Sequence, residues 1–471
     1  MIGSKLIDLL STFNGAEMRL FHEFVQSPYF NKNRSISELV GYLRDLKGRF
    51  DEQSLNKTDV FQIVYEGEKY DDLKMRHLMS DTLKLARNFL SYSHYENSGQ
   101  LKETFLLSEL AERKLAKQFN SHYKKLNKEF EKQGLRDSDF YFMKYELEQI
   151  RNRSIALQGG RGSDLNFQQE SNFLDTFYLI NKLRMACEML SIQNVMAVEH
   201  ELLLMDEILS YLRSSEQVKS TAISIYYQIY LTLKDPDGDE HFLRLKELLG
   251  EHYGKFRPDE ARNFYYAALN YCIKRLNTGS KEYLNESFLL YKDALARDLL
   301  FENGYLSAWN YKNIVSIGLQ LKEFEWVKSF INYYKDFLIE SYRDNAYSYN
   351  LAKYHFAVEN YSEVIKLLQR VEYDDLFYNL DSKSTLIKTY YETQETEALL
   401  FLLDSFKMYL TRNKIVSEYH RINYMNMIRY VKKILDIKDP KSDSALKLRN
   451  EIKEESRLTN KNWILEKLDS L

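Results

Sequence analysis

The chain has 471 residues but 16 Gly and 4 Pro, where the usual averages of about 7% and about 5% would give roughly 33 and 24. Long helices are expected, and with 44% hydrophobic and 14% aromatic residues a disordered, collagen-like or low-complexity chain is excluded. Lys+Arg 66 against Asp+Glu 69 leaves a formal net charge of -3, so no global field favours nucleic acid or a membrane surface, and any electrostatic partner must be read locally.

From Leu6 to about Tyr95 the pattern predicts short helices joined by polar turns, forming an N-terminal helical region over residues 1–97. Ser27-Pro28 ends the second helix, because proline disfavours helical geometry in the residue before it. Ser35 with Glu38 gives a capping-box signature that opens the next one. Asp71 to Leu90 reads as one amphipathic helix. Between Leu101 and Gln133 there is neither Gly nor Pro, so a single helix of about 50 Å is expected there. Leu115, Phe119, Tyr123, Leu126 and Phe130 step along it by three or four residues and form a buried seam. Gly134 to Asp137 turns the chain and Phe140 to Leu157 returns, which makes a long αα-hairpin over 98–158. Gly159, Gly160 and Gly162 mark a linker, and Gly160-Arg161-Gly162 reads as a loop in preference to an RNA-binding Arg-Gly segment. Over 165–471 helices alternate with short turns. Ser214 with Gln217 repeats the capping-box signature, and Pro258 followed by Asp259 and Glu260 suits a first helical turn. Asp235-Pro236-Asp237-Gly238 and Asp439-Pro440 read as loops.

The second half carries a recurrence. Ile314, Leu351 and Leu386 follow one another at intervals of 37 and 35 residues, and each is expected on the core side of its helix. Asn350-Leu351-Ala352-Lys353-Tyr354-His355-Phe356 opens one helix and Asn360-Tyr361-Ser362-Glu363-Val364-Ile365 its partner. These segments resemble the tetratricopeptide repeat, a helix pair of about 34 residues, with Ala352 at the family's small position and Tyr361 at its aromatic one. Val315 and Ile387 replace the small residue in the neighbouring units. The resemblance implies stacked helix pairs, an α-solenoid with C-terminal capping helices, whose first helices line a groove that receives an extended peptide or protein partner. On that basis Trp309, Lys312, Asn313, Tyr349, Asn350, Lys353, Ser384 and Lys388 face the groove. Asn350 matches one position of the clamp with which some tetratricopeptide domains hold a peptide's C-terminal carboxylate. Asp381 and Thr385 stand where its next basic residues would be, so such a clamp is not expected. The whole chain also resembles an uncharacterised family of helical proteins from Bacteroidota, through Ser27-Pro28-Tyr29-Phe30-Asn31-Lys32-Asn33 and Asn270-Tyr271-Cys272-Ile273, a resemblance that implies no activity.

Motifs for catalysis are missing. There is no phosphate-cradling G-x-x-x-x-G-K-[ST], no H-E-x-x-H and no G-x-S-x-G elbow. Thr278-Gly279-Ser280-Lys281 reads as a helix-to-helix turn, and Glu199-His200-Glu201 as a solvated face, since adjacent helical residues point apart. Cys187 and Cys272 are expected to be reduced, buried thiols. Met1 to Leu10 lacks a secretory apolar core and no run approaches a membrane span, so a cytoplasmic location is expected. A local charge feature remains: Lys114, Lys117, Lys124, Lys125, Lys128 and Lys132 fall within about 100° of arc on one helix face, opposite the apolar seam. The expectation is therefore an all-α, non-catalytic cytoplasmic scaffold without metal, cofactor or small-molecule substrate, which binds a protein through the groove. The alternative is a nucleic-acid-associated factor that uses the lysine stripe.

Overall fold

The computed structural model describes residues 1–159, 165–195, 199–214, 220–235, 238–369, 376–437 and 439–470. Among the described residues it is 77% helical, with 23 α-helices and one β-hairpin of two-residue strands in which Phe301 pairs with Leu306. Gly160-Arg161-Gly162, Gln217, Pro236 and Asp237 lie outside the described residues. By its contacts the chain divides into two compact units, Met1–Asn181 and Lys182–Leu471.

The first unit opens with α1 (Lys5–Leu10), α2 (Gly15–Gln26), α3 (Arg34–Asp45), α4 (Lys57–Val64) and α5 (Asp72–Asn97). Their apolar faces meet around Leu10, Phe21, Leu39, Val60, Phe61 and Met75, all fully buried. Short polar side chains start these helices. Asn14 forms a capping box with Glu17, Asn56 and Asp71 cap α4 and α5, and each satisfies N–H groups that lack an intrahelical partner. The start of α3 differs from expectation: its cap is Asn33, whose side chain accepts from the Ser35 N–H, so Ser35 lies inside the helix. Asn33 sits two residues earlier, and an Asn caps as well as a Ser.

The unbroken helix expected from Leu101 to Gln133 is two helices, α6 (Gly99–Glu112) and α7 (Ala116–Lys132). Lys114 adopts φ 55° between them. Its N–H donates to the Ala111 carbonyl, and the Leu115 N–H to that of Leu110. This is the Schellman pattern, which normally uses glycine at the left-handed position. A lysine there leaves no mark in the sequence. The returning helix, α8 (Ser138–Leu157), follows expectation. Phe119, Leu126 and Phe130 form the buried seam, whereas Tyr123 is half-buried and Leu115 exposed.

Helix α9 (Phe167–Val195) runs through the division between the units. In the second unit α11 (Thr221–Lys234) with α12 (Asp239–His252), and α13 (Pro258–Asn277) with α14 (Tyr283–Ala296), form helix pairs. Three further pairs follow: α15 (Ala308–Gln320) with α16 (Phe324–Tyr334), α17 (Glu340–Ala357) with α18 (Tyr361–Gln369), and α19 (Leu376–Glu392) with α20 (Thr396–Arg412). Each of these three pairs is joined by a three-residue turn whose middle residue is left-handed: Lys322 (φ 61°), Glu359 (φ 61°) and Gln394 (φ 58°). All three turns repeat the hydrogen bonds seen at Lys114. They recur at the intervals of 37 and 35 residues read from the sequence. Within the first of these pairs the helices approach closely at Gly318, where an added Cβ would lie 2.5 Å from the Val327 Cγ2.

Candidate partner-binding face

The first helices of the three pairs lie side by side, α17 touching both α15 and α19. Because the intervals are 37 and 35, equivalent turns carry Lys312, Tyr349 and Ser384 in one row, and Ser316, Lys353 and Lys388 in the next. In the first row Lys312 reaches from α15 past α17 and donates to the Asp381 carboxylate on α19. The Tyr378 hydroxyl, also on α19, donates back to the Ala308 carbonyl at 3.2 Å.

Asp381, one turn before Ser384, is the centre of the cluster around this row. Its second partner is the Tyr349 hydroxyl, which donates to Oδ2 at 3.2 Å. Its third is that of Tyr424 on α21 (Glu418–Leu435), which donates to Oδ1 at 2.7 Å. Burial opposes ionisation of this carboxyl, but the charge and hydrogen bond of Lys312, the Tyr424 hydroxyl and the charge of Lys353 outweigh it and hold it below its ordinary value. The Lys312 ammonium stands 5.5 Å, 5.5 Å and 5.6 Å from the ring centres of Trp309, Tyr349 and Tyr378, within cation–π range. This row is therefore closed: one cation, one anion and three rings satisfy one another.

The second row is open. Lys353 and Lys388 are half-buried, and among the described residues neither has a carboxylate within ion-pair distance. Lys353 donates to the Ser316 hydroxyl at 2.6 Å, and the Lys388 ammonium lies 4.5 Å from the centre of the Phe356 ring. Burial lowers the Lys353 pKa to about 8, with the charges of Lys312 and Lys388 acting in the same direction and Asp381 against them. Burial also brings Lys388 to about 8, against the pull of Asp381 and Glu392. Glu392, whose charge reaches Lys388, is engaged by Lys467 at 2.8 Å and by the Trp463 N–H at 2.9 Å. With Asp381 bonded to Lys312, the two lysines have no carboxylate in ion-pair contact among the described residues.

Among the residues assigned to the groove from sequence, Trp309 is exposed, and Lys312, Asn313, Lys353 and Lys388 are half-buried. Tyr349 and Asn350 instead belong to the interior, at 2% and 0% exposure, and Ser384 is buried with them. The reverse holds for Leu351 and Leu386, expected in the core and found half-buried, while Ile314 is fully buried. The reason is that α17 packs against α15, α16, α18 and α19 at once. The fully exposed positions of α17 are confined to its start, at Glu340, Ser341 and Asp344, and Lys353 is half-buried like Leu351 and His355. Tyr378, Tyr424 and the role of Asp381 as a counter-ion were not read from the sequence. Their signal was the interval itself, which places Asp381 two units after Trp309.

The lysine stripe of the first unit is exposed at Lys114, Lys117, Lys124, Lys125, Lys128 and Lys132. Lys114 belongs to the turn and not to α7, and Lys125 pairs with Glu129 at 4.0 Å. A separate apolar cleft of about 450 Å³ is lined by Ile229, Leu233, Leu245, Tyr271 and Lys274 among others. Cys187 and Cys272 are buried and unpaired, and burial raises the Cys272 thiol to about 12. Among the described residues no helix is long and apolar enough to cross a membrane, and no three His, Cys, Asp or Glu side chains form a metal-holding group. No family model, no curated protein and no solved structure matches the chain.

Proposed function

We propose that the chain is a non-catalytic cytoplasmic interaction protein, in which α15 to α20 form an α-solenoid of tetratricopeptide-like pairs and the concave face of α15, α17 and α19 receives an extended segment of a protein partner. The observation that carries this reading is the row of Lys353 and Lys388, half-buried and, among the described residues, without a carboxylate in ion-pair contact, on a face that Trp309 extends to solvent. An interior position serving stability alone would be apolar or paired, because an unpaired enclosed charge costs free energy. Backbone and ring groups on such a face suit a partner that lies across several helices. The test is a photo-crosslinking amino acid introduced in the native host at position 309, and separately at exposed position 401 on α20 as control. A protein joined at position 309 and not at 401 is the expected result. The reading fails if no protein is joined at 309.

The second reading, nucleic-acid association, is favoured by one observation: six exposed lysines with one ion pair among them. Phosphate contacts would weaken steeply with salt. Replacing Lys117, Lys124 and Lys128 with Glu should abolish retention of single- or double-stranded nucleic acid at about 50 mM salt while leaving the protein folded, since exposed substitutions rarely cost more than about 0.5 kcal/mol each. Unchanged retention would end that reading.

A further inference from the structure

The geometry points to an acidic partner segment: Lys353 and Lys388, on equivalent turns of adjacent helices, form a two-charge site for two side-chain carboxylates of an extended peptide. This inference rests on the concave face of α15, α17 and α19 being the partner site. Several observations on this face carry it. The two lysines belong to one row and are half-buried, so their charges face a medium less polarisable than water and act more strongly on an incoming anion. Among the described residues the two acids whose charges reach them are engaged elsewhere: Asp381 by Lys312, Tyr349 and Tyr424, and Glu392 by Lys467 and Trp463. Ser316 cannot replace a counter-ion, since its hydroxyl donates to the Lys312 carbonyl at 2.7 Å and offers Lys353 only a neutral oxygen.

The spacing selects the form of the ligand. Packed helices stand roughly 8–10 Å apart, and in an extended chain residues i and i+2 point to one side about 6.6–7 Å apart. Two flexible lysine stems can close that difference, so acids at i and i+2 meet the pair, whereas adjacent acids point to opposite sides. A terminal carboxylate is not required, because the carboxyl groups come from side chains. Binding would also bring the two ammonium groups carboxylates in ion-pair contact, which raises their affinity for protons and lowers the cost of enclosing them.

The test uses the full chain and an immobilised library of nonapeptides with acetylated and amidated ends, screened with wild type and with Lys353→Met, Lys388→Met and the double variant. Methionine keeps an unbranched apolar stem of similar length and removes only the charge. The expected result is enrichment of Asp or Glu at two positions two residues apart. Affinity for a selected peptide, measured by fluorescence anisotropy, should fall at least tenfold in each single variant and on changing either acid to Gln or Asn. The control Lys124→Met on α7 should change nothing. Selected peptides that lack acids, or whose affinity survives the double variant, overturn the acidic inference. If those peptides still crosslink to position 309, the partner face stands without it. If no peptide of any charge is selected and no protein crosslinks at 309, the reading on which the inference rests has failed. Inorganic phosphate that displaces the peptide at micromolar concentration would also overturn the inference, since it would make this a site for a compact dianion.

Discussion

An ammonium group enclosed by protein gives up hydration that a neutral hydroxyl or a ring replaces only in part, and Lys353 and Lys388 do so on the face where the neighbouring Lys312 has its carboxylate. Each therefore opposes folding in the absence of a partner. Lys353→Met and Lys388→Met should each raise the stability of the chain at neutral pH by about 1–3 kcal/mol, read as a higher denaturant midpoint at unchanged slope. The pH dependence has a definite sign. Both lysines sit near pKa about 8 in the folded chain against 10.5 as the ordinary value, so between those limits the unfolded chain binds more protons and stability rises with pH. Below about 8 both states are protonated and the whole penalty is present. The stability advantage of the double methionine variant over wild type should accordingly shrink as pH is raised from about 8 toward 10. A constant difference would show that the two groups titrate normally. Asp381→Asn should have the opposite effect on folding and cost about 3 kcal/mol or more, because it leaves Lys312 enclosed without its counter-ion. The interior position of Tyr349 makes a further distinction: Tyr349→Ala should cost about 3–5 kcal/mol through a cavity, and Leu351→Ala, at a half-buried position, clearly less. Equal losses would place both residues in one core.

At the scale of elements, the helix pairs are defined by their turns. Lys322, Glu359 and Gln394 occupy the left-handed region in which a side chain with a Cβ is strained. The turn is retained because its reciprocal hydrogen bonds satisfy the carbonyls at the end of the first helix and set the angle at which the second returns. Glycine at any of these positions relieves the strain without altering the hydrogen bonds. Lys322→Gly, Glu359→Gly and Gln394→Gly should each leave stability unchanged or raise it by up to about 1 kcal/mol, even though glycine elsewhere in a helix pair destabilises. A loss above about 1 kcal/mol at all three would contradict the turn assignment. Gly318 is the converse case. Alanine there gains roughly 1 kcal/mol of helix propensity, but its Cβ would overlap a β-branched Val327 that is fully buried and cannot swing aside. The net effect of Gly318→Ala should be a loss of about 1–3 kcal/mol, measurable as a lower melting temperature.

For the whole molecule, scarcity of Gly and Pro decided the class, and 77% helix follows from it. A far-ultraviolet circular dichroism spectrum should show the double minimum of an all-α protein and no strand signature. Helix α9 contributes residues to both compact units. Near its middle the Asn181 amide donates to Ser138 at 2.6 Å in the first unit, and further on Cys187 contacts the Tyr226 carbonyl at 3.5 Å in the second. A boundary inside a helix carries no Gly, Pro or polar run, so the glycines near residue 160 drew attention in the sequence and the division at residue 181 did not.

By itself the sequence determined helix, its approximate bounds, the buried seam of α7 and the interval of 37 and 35 residues, because these depend on local periodicity and on the few residues that end helices. It also singled out Lys312, Lys353 and Lys388. Only the tertiary structure decided that Lys114 breaks a helix, since the left-handed turn is stabilised by hydrogen bonds and by the packing of the helices it joins, not by the identity of the residue. The same applies to the faces. Leu351 is expected in the core from its recurrence and Tyr349 in the groove from the tetratricopeptide resemblance, but α17 packs against four other helices and the Tyr349 ring fills the interior with its hydroxyl on Asp381. A charge's partner is likewise a tertiary fact: Asp381 is 69 residues from Lys312, and no local pattern tells that Lys312 has an ion-pair partner while Lys353 and Lys388 have none among the described residues.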